Sequence, residues 1–220
     1  EQAEVVSRTS LPGQILESRM VGRRLFVVCN AGSWHWYDWG WGWNWMEQMA
    51  RETLESKISA EAYLCTLDLN LPSSPVMVEE RPLPTRAKEV AATSTHFLVV
   101  RHQEYTNYYS ARDLVDVFEI VDAASPRLLG TIKAGGRVND KFKMHIHNGI
   151  LTVVSQAYAN GRWRNRYSLV ETFILPTDGG LTDKPLDSLS LAENETLHAT
   201  RFDGDRLYVV TFLQVDPLFL

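Results

Sequence analysis

The chain has 220 residues, 45% of them apolar and 22% charged, with 22 Lys and Arg against 27 Asp and Glu for a formal charge of −5. This is globular composition with enough chain for one sizeable core, and it excludes disordered, collagenous and disulfide-dense miniprotein classes. No basic run supplies an electrostatic footprint for nucleic acid or an anionic membrane, and apolar runs of four or five residues fall far short of the roughly 20 that span a bilayer.

Self-similarity organises the rest. Four strand-like cores, Leu25-Phe26-Val27-Val28, Phe97-Leu98-Val99-Val100, Leu151-Thr152-Val153-Val154 and Leu207-Tyr208-Val209-Val210, begin 72, 54 and 56 residues apart. In the first unit, Ser18 to Gly22 and the 25–28 core form a hairpin, because Gly22 supplies the positive φ of a tight turn. An insertion over 31–60 follows, then a third strand over 62–69 and a stretch punctuated by Pro72, Pro75, Pro82 and Pro84 that reads as turns and an edge strand. The second unit continues from its 97–100 core through a loop to strands at 115–121 and 127–133. The third pairs 143–147 with its 151–154 core through Asn148-Gly149 and places its next strand at 169–175. The fourth pairs 200–203 with 207–210 through Asp203-Gly204-Asp205, a hairpin turn too short for a calcium loop.

Four antiparallel strands per unit of about 55 residues must stack on neighbours to bury two faces. The expected fold is therefore all-β: a partial β-propeller in one incomplete domain over 1–220, with three blades, part of a fourth and a Trp-rich, partly helical insertion. An open sandwich or a solenoid of four-stranded units is the architectural alternative. The chain opens without Met or a signal sequence and closes inside an apolar run, 216–220, so it reads as a fragment whose missing blades belong to the same polypeptide.

Within the insertion, Trp34, Trp36, Trp39, Trp41, Trp43 and Trp45, six of the chain's seven Trp, fall in twelve residues. From Trp39 to Trp45 they alternate with Gly40, Gly42 and Asn44, so an extended segment carries an aromatic stripe on one face. Asn44 and Glu47 resemble a capping box, and Met46, Met49, Ala50, Leu54 and Ile58 follow at helical spacing. The stripe is either a satellite core beneath that helix or an exposed binding platform. Tyr105, Tyr108, Tyr109 and Arg112 in the second unit, and Arg162, Trp163, Arg164 and Arg166 in the third, occupy the same place in their units. These loops together would line one rim, where binding residues favour loops on a rigid scaffold.

Aligned on their cores, the units place Arg19, Ala91, His145 and Arg201 at one position of the first strand, and Glu17, Glu89, Lys143 and Ala199 two residues earlier. Glu17, Arg19, Glu89, His145, Arg201 and Asp203 are thus candidates to line a central channel, against the commoner alternative of ion pairs between blades. His145 and His147 share a strand face, but no third ligand stands at a diagnostic spacing, and neither metal nor cofactor is expected. No nucleophile elbow or catalytic base motif stands out.

The segments Ser18 to Val28 and, above all, Arg201 to Phe212 running into Gln214-Val215-Asp216-Pro217-Leu218-Phe219 resemble the secreted bacterial proteins whose β-propeller domain is distantly related to WD-type repeats. The resemblance extends over the chain as a repeat pattern. It implies the propeller fold, further blades and an extracytoplasmic setting, and assigns no catalytic residue; the Trp insertion departs from it. That setting also favours a disulfide between Cys29 and Cys65, which would otherwise be two ordinary core thiols. The expected function is a non-catalytic binding or scaffold module of a secreted or envelope protein, touching a protein or glycan through the aromatic rim. The rival is a propeller hydrolase or lyase with a polar channel site.

Overall fold

The computed structural model describes residues 4–31, 60–102, 108–121, 125–177 and 180–213, with the side chains of Tyr108 and Trp163 outside that description. The described residues are all-β. β1 (Gln14–Val21), β2 (Arg24–Asn30), β3 (Ala62–Asp68) and β4 (Val76–Leu83) form one antiparallel sheet in chain order. β5 (Ala87–Ala92), β6 (His96–His102), β7 (Asp113–Glu119) and β8 (Arg127–Lys133) form a second. β9 (Met144–His147), β10 (Ile150–Tyr158), β11 (Arg166–Ile174) and β12 (Asp187–Leu191) form a third, and β13 (Thr196–Asp203) with β14 (Arg206–Phe212) a two-stranded hairpin. Among the described residues no helix is long and apolar enough to cross a membrane. The Trp stripe and the helix expected after it fall in 32–59, outside the described residues.

The repeat is faithful down to its irregularities. Arg19 pairs with Phe26, His145 with Thr152 and Arg201 with Tyr208, so each lies opposite the second residue of its core, as the alignment of the units requires. β1 carries a bulge between Ile15 and Glu17, and β13 carries one between Leu197 and Ala199, at the same distance before the core. The third and fourth strands repeat a bulge as well, at Thr66/Leu67 and at Val117/Phe118. Asn148 and Gly149, at φ 49° and 74°, make the left-handed two-residue turn that the Asn-Gly pair dictates.

The chain separates into two compact units, Glu1–Ala87 and Lys88–Leu220. In the first, Val27, Cys29, Cys65 and Leu67 form a buried cluster flanked by Leu11, Leu25, Tyr63, Leu69 and Met77. In the second, Leu98, Val100, Val115, Val117, Leu129 and Ile132 of one sheet share a core with Leu151, Val153, Phe173 and Leu175 on and just after the strands of the next. The linker between these sheets is drawn into that core. Arg137 and Gln156 exchange both backbone hydrogen bonds at 2.9 Å, and Gly136 lies so close to β10 that a Cβ there would meet the Gln156 carbonyl at 2.3 Å. Ala134 and Val138 of the linker are fully buried.

A side-chain amide five residues after the start of a core joins one element to the next. Gln156, 1% exposed, accepts from Leu197 N at 2.6 Å and donates to Tyr167 O at 2.9 Å, tying β10 and β11 to the start of β13. Asn30 occupies the same place after β2's core, and its carboxamide donates to Ala87 O and accepts from Ala87 N, both at 2.9 Å. Ala87 and Leu197 are themselves equivalent, each ten residues before its core. Phe212 takes this position in the fourth unit, where the pattern of burial also changes. Tyr208, Val210 and Phe212 are 50%, 52% and 59% exposed, although Phe26, Leu98, Val28, Val100 and Val154 at matching positions are buried.

Cys29 and Cys65 are free thiols, which corrects the expected disulfide. Cys29 lies opposite Tyr63 and Cys65 opposite Val27, so the two are diagonal neighbours, a spacing of about 7–8 Å that exceeds the usual Cα separation of a disulfide. Their thiols hydrogen-bond instead. Burial, then the neighbouring Cys29 and Glu80, pushes the Cys65 thiol up to about 12, and burial raises Cys29 too.

The Cys65 thiol should therefore react with an aromatic disulfide reagent at neutral pH on the order of a thousandfold more slowly in the native chain than in urea, and Cys29 more slowly too; equal rates would contradict this. Gln156→Leu keeps the volume but strands Leu197 N–H and Tyr167 C=O away from water. A loss of about 2–4 kcal/mol in urea unfolding is expected, against little change for an exposed control such as Lys133→Ala.

Candidate functional site

Two regions gather the residues that sequence singles out. The first is the end of the sheets where the second and third strands are connected. In the unit spanning Lys88–Leu220, β6 leaves at His102 and the chain returns through a 3-10 turn at Tyr108–Ser110 into Asp113 of β7. β10 leaves at Tyr158 and passes through short 3-10 turns at Ala159–Gly161 and Trp163–Asn165 into Arg166 of β11. These two connections meet. The Tyr109 and Tyr158 rings are 5.3 Å apart at 63°, an edge-to-face contact of the kind that aromatic quadrupoles favour. Arg112, Arg162 and Arg164 are exposed there, whereas Arg166, expected beside them, is buried at the start of its strand. Trp34, Trp36, Trp39, Trp41, Trp43 and Trp45 lie outside the described residues, between β2 and β3 of the other unit.

Beneath that end sits a set of buried charges that the sequence reading missed. Asp113, fully buried, accepts from Lys88 Nζ at 2.9 Å and from Val138 N at 2.8 Å, and lies 3.8 Å from His102 Nδ1. Asp116 takes two hydrogen bonds from the Arg101 guanidinium and a third from Thr131 Oγ1 at 2.6 Å. Glu171 accepts from Gly135 N at 2.7 Å; burial holds its carboxyl above the usual range, against that hydrogen bond and the field of Arg112. A signal was available: Asp116 interrupts the apolar alternation of β7, and Arg101 directly follows the apolar core of β6, on the neighbouring strand. Charges at such places in central strands need partners.

The second region is the first strand of each unit, where channel residues were expected. Glu17 is half-buried and Arg19 exposed on β1. Glu89 is half-buried on β5; burial raises its carboxyl, while Lys88 and Lys141 pull it down and Asp140 and Asp113 push it up. Lys143, aligned with Glu17 and Glu89, is buried rather than lining an opening, with Nζ 2.9 Å from Asp140 and 3.3 Å from the His198 carbonyl it donates to. It fastens the segment before β9 to β13. Arg201 and Asp203 are exposed on β13. Glu17 and Arg19 belong to Glu1–Ala87, and Glu89, His145, Arg201 and Asp203 to Lys88–Leu220.

His145 and His147 come together with the β13–β14 hairpin. The His145 ring stacks on Phe202 at 4.7 Å and 20° and lies 6.0 Å from His147, nearly parallel to it. His147 Nε2 is 3.0 Å from Asp205 Oδ1 in the β13–β14 turn. His145 Nε2 is buried without a hydrogen-bond partner, and burial, reinforced by His147, holds the imidazole below its usual range. Among the described residues no three His, Cys, Asp or Glu side chains converge as metal ligands.

The pH consequence of His145 has a definite sign. A histidine that is harder to protonate folded than unfolded contributes its full stability above the ordinary value of about 6.5 and loses it as pH falls toward and below its folded value. Melting temperature should fall on acidification from pH 7 to pH 5. His145→Phe should reduce that fall, and an unchanged slope would remove His145 from the account.

A family model described as a beta propeller domain matches residues 1–220. Over 89 residues the chain is 33% identical to an uncharacterised protein of Methanocaldococcus jannaschii, a match covering 40% of this chain and 13% of that protein. The chain thus spans only a small part of the relative's length. The family match over the full sequence agrees with three four-stranded antiparallel sheets and a two-stranded hairpin among the described residues: the chain belongs to the beta propeller domain family.

Proposed function

We propose that this chain is part of a non-catalytic binding or scaffold module of a secreted or cell-envelope protein, and that it contacts a protein or glycan through aromatic loops at one end of its sheets. The observation that supports the reading is the Tyr109–Tyr158 contact, which joins the loops of two successive sheets into one aromatic surface at the end where Trp163 also lies. The Trp stripe occupies the same connection in the first sheet's order of strands. Aromatic rings supply large contact areas at low entropic cost, and they dominate binding hot spots. Further units of the same polypeptide complete the module by covering the face carrying Tyr208, Val210 and Phe212.

The test uses the full-length protein, screened against cell-wall polysaccharides and surface proteins of its own cells. Trp163→Ala, and separately Trp39, Trp41 and Trp43 changed together to Ala, should each weaken a detected interaction by about tenfold or more while leaving the unfolding midpoint nearly unchanged. Binding that survives both sets of changes would overturn the aromatic-rim reading.

A further inference from the structure

Of the chain's nine asparagines, only Asn194 is followed by Thr or Ser two residues later with a residue other than Pro between, as Asn194-Glu195-Thr196. That pattern is the acceptor sequence for N-linked glycan transfer, and it requires a reachable carboxamide on a surface loop. The structure supplies that setting. Asn194 is exposed in the turn between β12 and β13, with φ 67°, in the left-handed region that asparagine tolerates better than most residues. Backbone bonds close the turn, Asn194 N donating to Arg166 O at 2.7 Å and Glu195 N to Ala192 O at 3.1 Å, and Glu195 is held further by Gln156 Nε2 and Thr211 Oγ1. The Asn194 carboxamide makes no hydrogen bond to any described residue, in contrast with the buried amides of Asn30 and Gln156, which are fully committed to backbone partners.

We infer that Asn194 is an N-glycan acceptor. The Asn194 amide nitrogen attacks C1 of an oligosaccharide carried on a lipid phosphate or pyrophosphate. The N–C1 bond forms, the C1–O bond breaks, the lipid phosphate leaves with the electron pair, and the amide gives up one proton. Arg166, which holds the turn, directly follows the Trp163–Asn165 turn, so the glycan stands at the same end of the third sheet as the proposed contact loops. An attached sugar there adds a hydrophilic flank beside an aromatic surface. The inference rests on the extracytoplasmic reading above.

The chain is produced behind a secretory leader in a host that N-glycosylates, and its tryptic peptide 167–201 is weighed, Lys184 being protected from cleavage by Pro185. The expected result is a glycan mass on that peptide, released by peptide N-glycosidase with conversion of Asn194 to Asp. The mass gain should vanish in Asn194→Gln and in Thr196→Ala and persist in Thr196→Ser. The peptide is read after denaturation, so a variant that folds poorly still reports. An unmodified peptide from translocated chain, or a glycan that survives Asn194→Gln, overturns the inference. Because the leader enforces delivery, those outcomes concern the site alone. Protease accessibility of the native protein on intact source cells separately tests its location.

Discussion

A sheet whose two middle strands are apolar on both faces has to be covered twice, and that constraint shapes this chain. Within Lys88–Leu220, burial is shared between successive sheets. The core formed by Leu98, Val100, Val115 and Val117 with Leu151, Val153 and Phe173 is one such shared layer. Apolar contact alone does not fix how far one sheet slides over another. Within Lys88–Leu220 the Gln156 amide does, because it takes backbone partners at a single place, and a slip would leave buried N–H and C=O groups unpaired. Phe212 replaces the amide at the corresponding position of the fourth repeat, where Tyr208 and Val210 are also exposed.

The units and their strand order were legible because they depend on local signals. Period-two apolar runs mark the cores, and Gly22, Asn148-Gly149 and Gly204 mark the turns, each now found at positive φ. Boundaries shifted by a few residues where polar strand ends pair through backbone alone: β13 begins at Thr196 although its recognisable hairpin sequence begins at Thr200. The joints were much less legible. Whether Gln156 clasps Leu197, or Lys143 inserts under β13, depends on which repeat lies across the interface, and one strand's pattern does not encode that neighbour. Aligning the cores and reading five residues onward would have brought Asn30, His102, Gln156 and Phe212 together as a column, with two amides in it.

The first-strand positions show what alignment alone conveys. Alignment correctly gave equivalent positions to Arg19, His145 and Arg201, but equivalence in a repeat is not proximity. Within the second unit, His145 turns to Phe202 and His147, Glu89 sits among Lys88, Asp140 and Lys141, and Arg201 stays exposed. Each of these side chains is placed by the groups nearest to it.

The buried charges extend that argument. Asp113 takes a lysine ammonium and a linker N–H, Asp116 a guanidinium and a hydroxyl, Glu171 a linker N–H, and Lys143 a carboxylate and a carbonyl. A buried ion pair contributes little net stability relative to an apolar pair of the same volume, yet removing one partner is costly. Such groups specify position more than they add stability. Here Asp113 and Glu171 both hold the segment 135–138 as it passes from one sheet to the next, while Lys143 holds its continuation against the following hairpin. Polar atoms of this kind keep repeats in register, while Arg112 and Arg162 of the connections at the sheet ends stay exposed and take no part in that register.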